Sequence, residues 1–184
     1  MTDRLSFRRE KAARAWDLAS AVVLVHAGEP VPIPGGADQT YPFRPHTEYT
    51  WLADRWRAGG VLAFDPREGW TDFVVPVSLD EQVWEGARPD DADAAGGRPI
   101  DELADWLIDR NDRPVAVLGA PLPGLEGDTG LRAELRARLL EVRRPKDDHE
   151  LALIRRAVAA SSAGYAAVRE ILAPGLSERD VQAV

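Results

Sequence analysis

The 184-residue chain has no cysteine, which excludes disulfides and thiolate chemistry and leaves His, Asp and Glu as the side-chain ligands for any metal. Histidine is scarce too: His26, His46 and His149 are far apart and show no helical two-histidine spacing. Lysine is confined to Lys11 and Lys146, so the basic residues are nearly all arginine, and the formal net charge is −8. A chain of that sign lacks the basic stripe that neutralises phosphates, so nucleic acid is not an expected partner. No apolar run approaches the length of a membrane span, and the longest, residues 19–25, is strand-sized. The N-terminus, Thr2-Asp3-Arg4-Leu5-Ser6-Phe7-Arg8-Arg9, lacks the charged-then-apolar order of a signal peptide. No membrane partner and a cytoplasmic location are therefore expected.

What is present is enough to fold. A hydrophobic content of 45% in a chain of this length suits one full domain plus a fragment. Residues 7–18, with Ala12, Ala13 and Trp16 among charges, and Ala19 just beyond, read as a helix covering one side of something. Residues 20–25 read as a buried strand, and residues 28–36 as a Pro/Gly loop. The run 41–52 reads as strand-like. Residues 60–64 and 71–77 are strands joined by Asp65-Pro66-Arg67-Glu68-Gly69, a turn by its chemistry, and are expected to pair antiparallel. Residues 80–88 are polar around one large anchor, Trp84, and run into a solvated loop over 89–97. Pro99 suits a first helical position, with Leu103, Trp106 and Leu107 as the apolar face of the helix that follows. Residues 114–118 are a further strand, and 129–142 a helix with Leu131, Leu135, Leu139 and Leu140 inward and Glu134/Arg138 as a supporting pair.

After Arg143-Arg144-Pro145-Lys146 only helices follow. Leu151, Ile154, Val158, Tyr165, Val168 and Leu172 recur at three- and four-residue steps and form an apolar stripe that needs a partner. Another helix opens at Ser177, close to Val184, although isolated helices much below about 12 residues are marginal in water. The expectation is an α/β domain over residues 1–143, a mixed β-sheet covered by helices, and the beginning of a second domain over 144–184.

Few residues point to chemistry by themselves. Residues 119–130 are Gly-rich between a strand and a helix, the context of a phosphate-cradling loop, but there is no Gly-x-Gly-x-x-Gly and no Lys-Ser/Thr. Its prolines remove amide donors, and Glu126 and Asp128 would repel phosphate, so a connecting loop with Asp128 or Thr129 capping a helix is expected. His46 and Glu48, two apart in a strand-like run, would share a face, but they are too few for a metal site and need help to act as an acid/base pair. His26 ends a buried strand. His149, among Asp147, Asp148 and Glu150, marks a helix start. No Gly-x-Ser-x-Gly elbow is present.

The run Tyr41-Pro42-Phe43-Arg44-Pro45-His46-Thr47-Glu48-Tyr49-Thr50-Trp51-Leu52 resembles the signature of the N-terminal domain of Xaa-Pro aminopeptidases, the creatinase/prolidase N-terminal domain family. Flanking parts agree in order: an Arg-rich helix and the strand 22–25 before it, then Phe73-Val74-Val75-Pro76 and Val83-Trp84-Glu85-Gly86-Ala87-Arg88 after it. The C-terminal part, with Arg143, Lys146, Glu150, Arg155-Arg156-Ala157 and Pro174-Gly175-Leu176-Ser177-Glu178, is similar to that family's entry into its catalytic domain. Leu52-Ala53-Asp54-Arg55 departs from a Leu-Thr-Gly-Phe-like turn, and Pro145 interrupts the connector.

The resemblance implies an enzyme that removes an N-terminal residue preceding proline, acting on a peptide with proline second, and a homo-oligomer. It implies a pita-bread α+β catalytic domain whose first helices are residues 144–184. Two divalent metals, manganese by type, would sit in that domain on two Asp, one His and two Glu, with a bridging hydroxide attacking the scissile carbonyl. None of those five ligands maps onto this chain, so it would hold no metal or catalytic residue and be inactive alone. The N-terminal domain would shape the active-site mouth and oligomer contacts. Trp84 is the residue expected to contact substrate, from a neighbouring subunit; as a ring on a polar segment it is either an interface anchor or a lid over its own core. Arg44 and His46 are the cleft-lining candidates. Two other readings stay open: the N-terminal part of a prolidase, and a stand-alone, non-catalytic oligomerisation or interaction module.

Overall fold

The computed structural model describes residues 2–86 and 91–182. Ala87 and Arg88 of the tryptophan segment, residues 89–90 of the loop, and Val184 lie outside the described residues. The chain divides into two compact units, Met1–Val142 and Arg143–Val184.

The first unit is built on a five-stranded mixed sheet of order β4-β3-β2-β1-β5. Its strands are β1 (Val22–His26), β2 (Val61–Asp65), β3 (Gly69–Val74), β4 (Arg98–Pro99) and β5 (Val115–Gly119). β1 runs antiparallel to β2, with Val23 opposite Phe64, and parallel to β5, with Val22 opposite Val115. β2 and β3 pair antiparallel across the Asp65–Gly69 turn, as their spacing predicts. β1 and β2 are buried throughout because both sheet faces are covered, which is why they read as continuous apolar runs.

The period of two sorts their side chains between two cores. Val23 and Val25 of β1, Leu62 and Phe64 of β2, and Ala116 and Leu118 of β5 form one core with helices α1 (Thr2–Trp16), α2 (Thr47–Ala53) and α5 (Thr129–Arg143). Val22, Leu24, Val61, Ala63 and Phe73 form the other, closed by Leu103 and Trp106 of α4 (Glu102–Ile108). The short helix α3 (Leu79–Glu85) follows β3. This is the mixed, helix-covered α/β sheet that the sequence predicts.

Three local expectations are corrected. Residues 47–53 are helix rather than strand, because Tyr49, Leu52 and Ala53 bury at helical spacing and the His46 ring caps the first turn by accepting from the Glu48 N–H. Pro99 belongs to the two-residue edge strand β4 rather than to a helix start. Lacking an N–H, proline suits such an edge, and the chain closes through Ile100 N–H donating to Val74 O before α4 begins at Glu102. Leu140 is 54% exposed, leaving Leu135 and Leu139 as the fully inward leucines of α5.

In the second unit, α6 (Asp148–Ile171) starts on a capping box: Asp147 accepts from Glu150 N–H while Glu150 accepts from Asp147 N–H. His149 lies in this first turn, as predicted. None of the 24 residues of α6 is buried, and Val158 and Tyr165 are 59% and 78% exposed. A short helix, α7 (Glu178–Gln182), follows Ser177.

Candidate functional site

Arginines from α1 bind the far end of α2. Arg8 Nη1 and Arg9 Nε donate to Trp51 O and Leu52 O at 3.3 and 2.9 Å, and Arg4 pairs with Asp54. Unpaired carbonyls at a helix C-terminus are answered by cations there. The guanidiniums also lie over Trp51 and Trp70, a use that lysine would serve less well.

At its other end α2 is held by Glu48, a carboxylate only 3% exposed. It accepts from Gly119 N–H at 2.6 Å and from Arg136 of α5 at 2.9 Å, joining α2, β5 and α5 at one point. Gly119 is required there: its φ is +74°, and a Cβ would run into the His26 carbonyl. His46 is half-buried, with Nδ1 3.7 Å from Glu48 Oε2, so the two residues do meet, through a helix cap rather than a shared strand face. Glu48 is committed to structure.

A cleft of about 1210 Å³ opens on this unit. Tyr41, Pro42 and Phe43 line it from the signature run, facing Trp56, Arg57 and Gly59. Tyr41 and Trp56 are 52% and 56% exposed, while Tyr49 of the same run is buried in the core. Burial raises the Tyr49 phenol well above its ordinary range, with the Asp72 charge adding to the effect. Arg44 is exposed, and neither Arg44 nor His46 is among the residues lining this cleft.

One wall carries α3. Arg57 is buried, donates to Val75 O and Pro76 O at 2.7 and 3.1 Å, and grips both oxygens of Glu81 at 2.9 and 2.7 Å. Glu81 closes a capping box with Ser78, and the Ser78 N–H and then Arg57 hold its carboxyl below the usual range. This clamp fixes the helix that presents Trp84, whose side is 85% exposed beside Leu79 and Val83 at 79% and 76%. A ring so exposed is not a lid over its own core.

The Gly-rich loop lines a smaller cleft of about 460 Å³ with Arg132 and Arg136. Asp128 caps α5 by accepting from Leu131 N–H, as predicted, and Arg136 is spent on Glu48, so the geometry is that of a connecting loop. The cleft residues Glu29, Asp38, Trp56 and Glu81 were not foreseen. Trp56 between Arg55 and Arg57, a large ring in a charged stretch, was the available signal. Among the described residues there is no group of three or more His, Cys, Asp and Glu that could hold a metal ion, and no helix long and apolar enough to cross a membrane.

No family model matches the sequence, and no curated protein matches it. Solved structures do. A Bacillus anthracis chain assigned to aminopeptidase P superposes with a TM-score of 0.73 at 15% identity, over 98% of this chain and 49% of that one. Proline aminopeptidase P II from Yersinia pestis gives 0.71 at 18%, over 100% and 48%. Zinc-substituted aminopeptidase P from E. coli, solved in complex with product, gives 0.68 at 17%, over 100% and 48%. The chain thus spans about half the length of the structures it matches. At such identities the likeness establishes architecture: this chain has the mixed α/β fold found within aminopeptidase P structures.

Proposed function

We propose that this chain is the N-terminal part of a metal-dependent aminopeptidase that removes an N-terminal residue preceding proline. Residues 1–143 would be its creatinase/prolidase-type domain and residues 144–184 the opening of its metallopeptidase domain. The observation that carries this reading is coverage: the likeness to aminopeptidase P structures extends over 98% to 100% of the chain. The signature run 41–52 supports it from the sequence side. A prolidase is the nearer competitor, and the matched structures named above favour the aminopeptidase.

In this reading the first unit is a frame. α3, held by the Arg57–Glu81 clamp, projects Trp84 with Leu79 and Val83 as an apolar contact for a neighbouring subunit and for peptide at the mouth of its active site. Arg44 and His46 are secondary candidates for lining that mouth. The divalent ions, manganese by expectation, do not fit the described residues, so no step through a metal is assigned to them. The zinc-substituted, product-bound relative supports the metal-dependent class.

A longer protein containing this chain should release the N-terminal residue from an Xaa-Pro tripeptide when supplied with manganese, and should do so faster than it splits an Xaa-Pro dipeptide. No release from either peptide would overturn the peptidase reading, and a dipeptide preference would turn it to prolidase. The exposed apolar residues of α3 and α6 favour the second reading, a non-catalytic interaction module, if no release is found.

A further inference from the structure

Residues 30–42, which follow β1, form a flap along the larger cleft. Their backbone bonds close on themselves: Ile33 N–H donates to Gln39 O and Tyr41 N–H to Val31 O, each at 2.9 Å, with Pro32 opposite Thr40. Most of the flap is exposed, and among the described residues it exchanges no backbone hydrogen bond with the rest of the unit. Pro30, Asp38, Thr40, Tyr41 and Pro42 nonetheless line the cleft together with Trp56 and Gly59. The flap is therefore positioned from its base, where Gly59 N–H donates to Gly28 O at 2.9 Å and His46 N–H to Ala27 O at 2.8 Å.

At that base an exposed carboxylate meets a buried histidine. His26 is 1% exposed, with Nδ1 2.8 Å from Pro121 O and Nε2 3.5 Å from Oε1 of Glu29. The same Oε1 lies against Gly59, where a Cβ would stand 3.3 Å from it. A carbonyl oxygen only accepts, so Nδ1 carries a proton whether the ring is neutral or charged, and the state of Nε2 decides what Glu29 meets. With Nε2 protonated the contact is an ion pair; with Nε2 bare, a lone pair faces a carboxylate oxygen and the contact is repulsive. Among the described residues, Glu29 is the only charged group within ion-pair distance of the ring. The neighbouring strands present Val61 and Gly119 beside His26, neither of them titratable. Glu48 is committed to Gly119 N–H and Arg136, and Arg57 to Glu81.

We propose that His26 and Glu29 form a protonation latch on this flap. With His26 charged, the pair pins the base of the flap and keeps that wall of the cleft in place; with His26 neutral, the flap is released and the cleft widens. The latch is shut at the acidic end of the range in which histidine titrates, about pH 5 to 8, and opens as pH rises through it. All its groups lie in the first unit, so it does not rest on the peptidase reading.

The test is an NMR titration of the nitrogen-15-labelled 184-residue chain, in which ring nitrogen shifts report the protonation of His26 and amide signals report the flap. Hydrogen exchange of the Gly59 amide is read as a protection factor, which removes the intrinsic effect of pH on exchange. That factor should fall roughly tenfold as pH rises, and the amide signals of residues 31–41 should move, both with the midpoint of the His26 ring. Glu29→Gln, whose neutral amide can donate to the bare ring nitrogen, should remove the coupling while His26 still titrates. His46→Asn keeps an acceptor at the α2 cap and should leave the coupling intact. A His26 ring that holds one protonation state from about pH 5 to 8 overturns the proposal. So does a flap that ignores pH, that follows the His46 ring instead, or that stays coupled to His26 in Glu29→Gln.

Discussion

Asp65 closes β2 with its side chain almost wholly enclosed, and it is answered from three directions. Oδ2 accepts from Arg110 and Arg113 at 2.8 and 2.7 Å, and Oδ1 accepts from Arg113 and from the Arg67 N–H, each at 2.8 Å. Hydrogen bonding from Arg113 is the first cause holding this carboxyl far below the ordinary carboxylate range, against burial, which acts the other way. A folded-state value below the unfolded one of about 3.9 means that the network stabilises fully above about pH 4 and loses its contribution as pH falls. Asp65→Ala, which removes the buried carboxylate shared by two enclosed guanidiniums while Arg110 keeps Glu68 and Trp106 O and Arg113 keeps Ser20 O, is expected to cost about 3 kcal/mol at pH 7. Urea unfolding should show that cost shrinking below about pH 4, whereas an unchanged cost at low pH would assign the loss to packing instead. The turn role of Asp65 is legible in Asp65-Pro66-Arg67-Glu68-Gly69. Its arginine partners, more than forty residues away, are not, because sequence periodicity carries no information about which charges tertiary packing brings together. His46 and Glu48 teach the same point: the two are neighbours in the sequence, but the helix cap that brings them together is not legible there.

Elements were legible where both faces are buried. β1, β2 and β5 stand out as apolar runs, β3 by its pairing across the Asp65–Gly69 turn, and α1 and α5 by their helical period. α2 was missed because seven residues provide barely two turns of period and its β-prone Tyr49, Thr50 and Trp51 suggest a strand. β4 was missed because two residues carry no period at all. α2 also presses close on the sheet: a Cβ on Gly60 would collide with the Tyr49 hydroxyl, so even a methyl group must displace the ring. Gly60→Ala is expected to lower stability by about 1 to 3 kcal/mol in thermal or urea unfolding, and a neutral result would mean that Tyr49 can move without loss. α3 is the opposite case. Trp84→Ala on so exposed a ring should change unfolding free energy by no more than about 0.5 kcal/mol. In a longer, active protein it should lower kcat/KM for Xaa-Pro peptides roughly tenfold or more, if Trp84 is an anchor of the hot-spot kind. Loss of stability with unchanged kcat/KM would remove Trp84 from the proposed mouth.

At the scale of the molecule, the first unit carries both hydrophobic cores, built from residues within 12–142. A chain ending at residue 143 is therefore expected to unfold in urea at the same midpoint as the 184-residue chain. A midpoint lowered by more than the experimental spread would mean that the second unit stabilises the first. The parallel pairing of β1 with β5 has a kinetic consequence. Val22 finds Val115 only after some ninety intervening residues have been gathered into β2, β3 and α4, and closing so long a loop slows folding relative to the local β2–β3 hairpin. During synthesis β1 must wait, one edge open and apolar on both faces, until residues 115–119 have left the ribosome. That interval is when this chain is most exposed to aggregation and most in need of a chaperone.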